Sequence, residues 1–290
     1  MNKLSLNQRY LMQPLIIRFM ISIFVIIFIL ILLQNPQIFP GAVVSIFNKS
    51  ERNPNSLPEQ VESIFIDTKD QKKIEAWRLG NDNSKQVAII FHGNGGDVAN
   101  FFSYQEYFKS MEITSYGFDY RGYGKSTGWP TEKGINLDGE AVIEYLIQRE
   151  NILPKDIIIV GVSIGSGPAS YIADKYQVGT LLLYSPFTSL KNAVKSQKIL
   201  GFLHPFLIYK FPVLDHIKNL GNTCLIVAHG KRDGIIPFSQ GQEIYLEHKK
   251  IGKSYLEISK TAGHNDILFE TFEPIKKYLF ECLENKFSPF

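Results

Sequence analysis

Cysteine is scarce: Cys224 and Cys282 are the only two among 290 residues. A disulfide-rich scaffold and a cysteine-based zinc site are therefore excluded, and two thiols alone say nothing about redox compartment. A charge excess is missing as well. The 31 basic and 28 acidic side chains leave a formal net charge of +3. That balance provides no broad basic field, so no nucleic-acid partner is expected. The chain carries no internal repeat. Wholesale disorder is excluded by a composition that is 44 % hydrophobic and 20 % charged. Aromatic residues are plentiful at 13 %, chiefly Phe and Tyr. The length suits one large domain or two small ones.

One long apolar run stands apart from the rest. Residues 15–33 read LIIRFMISIFVIIFILILL, broken only by Arg18 and Ser22. At about 19 residues it has the length of a bilayer-spanning helix, and Arg18 can snorkel to one interface. Lys3, Arg9 and Arg18 precede the apolar core, whereas the next basic residues after it are Lys49 and Arg52. This bias predicts a cytoplasmic N-terminus and a single-pass membrane protein with the remaining chain on the non-cytoplasmic side. Residues 1–34 are thus read as a cytoplasmic tail and transmembrane signal anchor. The alternatives are a cleaved signal peptide, which the text after Leu33 disfavours because it lacks a small-residue cleavage pair, and a buried soluble helix, which the absence of a polar face disfavours. Residues 35–60, with Pro36, Pro40, Pro54 and Pro58, read as a juxtamembrane linker or wrapped segment.

From residue 61 the pattern changes. Residues 61–68 and 73–79 predict an antiparallel strand pair. Apolar strands follow at 87–92, 113–119, 157–162, 180–185, 224–229 and 254–259, alternating with helical periodicity at 99–111, 134–150, 164–176 and 267–283. Strand–helix alternation of this kind predicts an α/β domain over 61–290, with a mostly parallel central sheet flanked by helices. Residues 188–221 interrupt it with apolar, Pro-containing text that is read either as a cap over a site or as a covering helix.

Chemistry-bearing residues fall at the strand ends. GVSIG at 161–165 lies between a strand and a helix, the context of a nucleophile elbow, and presents the Ser163 hydroxyl. A glycine-rich turn with an idle serine is the bland alternative. A serine needs a base, and the expected chain order is Ser, acid, His. His264, in AGHND after the last strand, has the best position among six histidines. Asp233, in HGKRD after the preceding strand, is the candidate acid, with Asp266 as its rival. The glycine-rich HGNGGD at 92–97 lacks a phosphate-loop Lys-Ser/Thr ending. Its Asn94 backbone N–H and that of Ile164 are the candidate oxyanion donors.

With FHGNGGD at 91–97, DYRGYGKS at 119–126, GVSIG, HGKRDGIIP and AGHND standing in this order, the chain resembles the α/β-hydrolase superfamily from about residue 61 to 283. Within it, SPFTSL at 185–190 and the N-terminal apolar run are similar to membrane-anchored α/β-hydrolase-domain proteins, some of which remove palmitate from protein thioesters. The resemblance implies an α/β-hydrolase fold and a serine hydrolase acting on an acyl-containing small molecule, a lipid or an acylated protein. It calls for no metal and no organic cofactor. An anchored peptidase or amidase and a non-catalytic scaffold are the other readings.

Overall fold

Uninterrupted runs of β-branched and aliphatic residues favour strands covered on both faces. The computed structural model describes residues 17–25, 28–29, 34–48, 58, 60–81, 84–197 and 201–284. The apolar runs build one eight-stranded sheet. Its strands are β1 (Glu62–Asp67), β2 (Lys73–Leu79), β3 (Val87–Phe91), β4 (Thr114–Phe118), β5 (Ile157–Val162), β6 (Thr180–Tyr184), β7 (Cys224–Gly230) and β8 (Ser254–Ser259). They lie in the order β1-β2-β4-β3-β5-β6-β7-β8. The pairs β1–β2 and β2–β4 are antiparallel, and every later pair is parallel.

The sheet divides the hydrophobic interior into two cores. Successive side chains alternate across a strand, so Ile89 and Phe91 enter one core while Ala88 and Ile90 enter the other. Helices Glu132–Arg149 and Ser166–Tyr176 cover the first face through Ile135, Val142, Leu146, Ala169 and Ile172. Helices Phe102–Lys109 and Phe272–Glu284 cover the second through Tyr107, Phe108, Ile275 and Leu279. Each fully buried Ile or Leu among them contributes about 1.5–3 kcal/mol of apolar transfer. Thr131 caps helix Glu132–Arg149 by accepting from the Gly134 amide at 3.0 Å. The single helix expected at 267–283 breaks at Thr271 into Ile267–Glu270 and Phe272–Glu284, where the Thr271 hydroxyl donates back to the Ile267 carbonyl.

Two sequence expectations concern the N-terminal side. Residues 34–48 are no bare linker but two short helices, Gln34–Ile38 and Pro40–Asn48, docked on the sheet domain. Pro40 opens a helix, where its missing N–H costs nothing, and Phe39 and Ala42 sink into the first core, as a wrapped segment would; residues 49–57 and 59 of the expected linker lie outside the described residues. The Gln34 amide clamps the chain here. It donates to the Phe206 carbonyl at 2.8 Å and accepts from the Ile208 amide at 3.0 Å. Asn35 donates to the Pro130 carbonyl and the Tyr209 hydroxyl. Of the expected span, residues 17–25 and 28–29 are helical, with Ile17, Phe19 and Phe24 exposed. The rest of the span and the expected tail ahead of it lie outside the described residues. Among the described residues no helix is long and apolar enough to cross a membrane.

Much of the apolar text in 188–221 covers the sheet. Tyr209, Phe211, Val213, Ile217 and Leu220 are buried in the first core, around the helices Leu190–Lys195 and Val213–Ile217. The two cysteines, from which the sequence yielded nothing, form a disulfide that joins the start of β7 to the last helix across 58 residues.

Candidate active site

The carboxyl ends of β3, β5, β7 and β8 carry the candidate residues. Strand β5 ends at Val162, and Ser163 turns the chain with a φ of 54°, a left-handed conformation costly for a residue with a side chain. A 3-10 turn, Ser163–Gly165, then leads into helix Ser166–Tyr176. The tightness of this turn explains both flanking glycines. A Cβ on Gly161 would stand 2.7 Å from the Ala169 Cβ, and one on Gly165 would stand 2.2 Å from the Phe91 carbonyl oxygen.

Three side chains meet at this turn. The Ser163 Oγ lies 2.9 Å from Nε2 of His264, and Nδ1 of His264 lies 2.7 Å from Oδ2 of Asp233. The Asp233 carboxylate is wholly enclosed. Its Oδ1 accepts the amides of Ile235 and Ile236, each at 2.8 Å. Burial alone would push this carboxyl up. Hydrogen bonds from His229 and His264, the His264 charge and the Ile236 amide outweigh burial and hold it well below the usual carboxylate range. Asp266 is occupied elsewhere: its Oδ1 accepts the Gly263 amide at 2.7 Å and so shapes the loop that carries His264.

The glycine-rich loop after β3 lies beside the serine. A Cβ on Gly93 would sit 3.7 Å from the Ser163 Cβ. Asn94 lines the pocket in front of Ser163, while Ile164 follows the serine in the 3-10 turn with its side chain buried. The DYRGYGKS segment braces this loop rather than meeting the pocket. The Tyr120 hydroxyl donates to the His92 carbonyl at 2.9 Å, and Arg121 pairs with Asp70 and Asp138, each at 2.8 Å. The pocket itself, about 650 Å³, is walled by Phe101, Val162 and Leu268, with Ile235 and Phe269 exposed at its margin. Among the described residues no cluster of His, Cys, Asp and Glu side chains is arranged to hold a metal ion.

Sequence reasoning missed two contributors. Helix Pro40–Asn48 backs the glycine-rich loop, since a Cβ on Gly41 would come 3.1 Å from the Asn94 carbonyl oxygen. His229 stands 3.2 Å from Asp233, and its place four residues before that aspartate was the available signal. His92 stays in the glycine-rich loop, with Nδ1 2.7 Å from the Gly93 carbonyl oxygen, while two other histidines are engaged away from the site. His216 pairs with Asp174, and His248 bonds the Ser254 hydroxyl while burial pushes its pKa down to about 4.

A sequence model described as the alpha/beta hydrolase fold matches residues 87–180. The chain is 31 % identical over 208 residues to alpha/beta hydrolase domain-containing protein 17B of Homo sapiens, covering 70 % of this chain and 69 % of that protein. It is 26 % identical over 262 residues to an uncharacterized membrane protein of Saccharomyces cerevisiae, covering 86 % of this chain and 89 % of the yeast protein. Among solved structures, an alpha-beta hydrolase of Vibrio vulnificus superposes with a TM-score of 0.67 at 18 % identity, covering 98 % of this chain and 95 % of the other. An esterase of Pyrococcus furiosus superposes with a TM-score of 0.64 at 21 % identity, covering 80 % and 93 %.

Proposed function

Because the chain belongs to the α/β-hydrolase family, we propose that it is a membrane-anchored serine hydrolase cleaving a carboxylic ester or thioester. The observation that carries this reading is the continuous hydrogen-bonded line from Ser163 through His264 to Asp233.

Each residue then has a distinct task. Nε2 of His264 takes the proton as Ser163 Oγ attacks the substrate carbonyl carbon. Asp233 holds His264 in the tautomer that leaves Nε2 free to accept, and stabilises the resulting imidazolium. The Asn94 and Ile164 amides stabilise the oxyanion. The leaving oxygen or sulfur departs with the proton from His264, giving the acyl-enzyme. Water, deprotonated by His264, then releases the acid and restores Ser163. The pocket volume of about 650 Å³ and the walls of Phe101 and Leu268 support an apolar acyl group.

Membrane attachment rests on the apolar run at 15–33, whose described part exposes Ile17, Phe19 and Phe24. Exposed Phe206 and Ile208 beside Gln34 add apolar surface where that run ends. The Cys224–Cys282 disulfide supports a non-cytoplasmic domain, because such bonds persist in oxidising compartments.

The test is labelling of the full-length chain with a fluorophosphonate, followed by a panel of acyl esters and thioesters of graded chain length against aminoacyl amides. Absence of labelling would remove the serine hydrolase reading, and faster turnover of aminoacyl amides would replace it with a peptidase. Release of the chain by alkaline wash would remove the anchor. Protection of the domain from external protease, after outer barriers are opened, would reverse its side.

A further inference from the structure

We propose that His229 is a second positioning histidine for the Asp233 carboxylate, a role that rests on the reading of Asp233 as the triad acid. His229 is the sixth residue of β7 and wholly buried. Its Nε2 lies 3.2 Å from Oδ2 of Asp233 and 3.0 Å from the Ile236 carbonyl oxygen. Both neighbours only accept, so the ring hydrogen sits on Nε2, bonded to the Ile236 carbonyl with Oδ2 of Asp233 close beside it. Nδ1 faces helix Phe238–His248, has no hydrogen-bond partner, and would meet a Cβ on Gly241 at 2.5 Å. A hydrogen placed there would be buried without an acceptor. Packing therefore selects one tautomer, and that tautomer points its donor at the carboxylate.

The consequence is a carboxylate held on every side. Oδ1 accepts the Ile235 and Ile236 amides, and Oδ2 bonds His264 with the Nε2–H of His229 3.2 Å away. A carboxylate offers about four lone-pair sites, so these donors leave it one orientation. The His229 donor fixes the rotation of Oδ2 and leaves its remaining lone pair directed at Nδ1 of His264. It also draws some negative charge away from His264. The titratable neighbours are few. His229 comes from β7 and His264 from the loop after β8, while helix Phe238–His248 presents Gly241 and β7 adds Val227. Ser163 faces the far side of His264, and Asp266 is turned to the Gly263 amide.

The experiment compares full-length wild type, His229→Phe and His229→Gln by fluorophosphonate labelling and by the pH profile of p-nitrophenyl ester hydrolysis. His229→Phe keeps a planar aromatic ring, slightly larger, and removes the donor. Its kcat is expected to fall roughly ten- to a hundredfold, the scale of one hydrogen bond to a charged group, with KM unchanged. The acid limb of kcat/KM should move to higher pH, because a carboxylate with one donor fewer favours protonated His264. His229→Gln places an amide nitrogen where Nε2 stood and should restore both. An unmoved limb and kcat in His229→Phe, or a His229→Gln as impaired as His229→Phe, overturns the proposal. Nitrogen-15 NMR of the wild-type imidazoles at neutral pH gives a check independent of folding in the variants: the Nε2–H tautomer supports the proposal, and the Nδ1–H tautomer overturns it. A wild-type chain that takes no label fails the hydrolase reading itself, whereas normal labelling with an unmoved His229→Phe fails the positioning role alone.

Discussion

Gly41 leans on the carbonyl oxygen of Asn94: a Cβ at position 41 would stand 3.1 Å from that oxygen and 2.3 Å from the Tyr123 ring. The segment next to the apolar run therefore forms the outer wall of the glycine-rich loop. Gly41→Val is expected to lower stability by about 1–3 kcal/mol through overpacking, and to slow fluorophosphonate labelling as the loop shifts. A chain begun at residue 49 should melt at a lower temperature than the full-length protein, because it uncovers the pockets of Phe39 and Ala42. Unchanged melting and labelling in both variants would show that this helix is not seated on the loop.

Ser163→Ala should abolish labelling while leaving the melting temperature near that of the wild type. Activity should fall by several orders of magnitude, as when a triad serine is removed elsewhere. Label persisting on another residue would move the nucleophile.

Asp233→Asn and Asp266→Asn separate two acids that lie in the same region. Asp233→Asn should lower turnover by roughly 10⁴-fold by favouring the wrong His264 tautomer. Asp266→Asn keeps a side-chain oxygen able to accept the Gly263 amide, so its effect should be far smaller. Steady-state kinetics decides, and the reverse ranking would exchange their roles.

Acid stability should reveal the Arg121–Asp70 pair. The hydrogen bonds from Arg121 hold the Asp70 carboxyl well below the usual carboxylate range, against a smaller opposing effect of burial. A folded pKa below the unfolded one gives stability that is present above about pH 4 and is lost as pH falls towards the folded value. Asp70→Asn should cost about 1 kcal/mol at pH 7, a modest figure because the carboxylate is 39 % exposed and screened by water. The gap to wild type should narrow steadily as pH falls below about 4 towards the folded value. Denaturant melts at about pH 7 and about pH 2 provide the check, and a gap as wide at the lower pH as at the higher would refute the pairing.

The sheet was legible because its strands are buried on both faces and so carry unbroken apolar text, as in IIIVGV of β5. Ser163, His264 and Asp233 were legible because each lies just after a strand, where glycine permits a sharp turn. Features made by packing between distant segments were not. Nothing in QNPQIFPGA announces that Gln34 will bond Phe206 and Ile208, across 172 and 174 residues. The break at Thr271 was hidden because both halves keep one apolar face. The pairing of Cys224 with Cys282 depends on where the last helix lands on the sheet, which no spacing rule supplies. His229 looked like the polar end of a strand, and its relation to Asp233 appears only once the loop folds back.

The left-handed backbone at Ser163 restricts which side chains the turn can accept. Threonine offers the same hydroxyl, but a β-branched residue is a severe outlier at positive φ. Cysteine, unbranched like serine, meets no such barrier. At position 163 the admissible alphabet is therefore narrowed by backbone shape before reactivity is considered: a thiol can replace the hydroxyl, while one added methyl group can disable the turn.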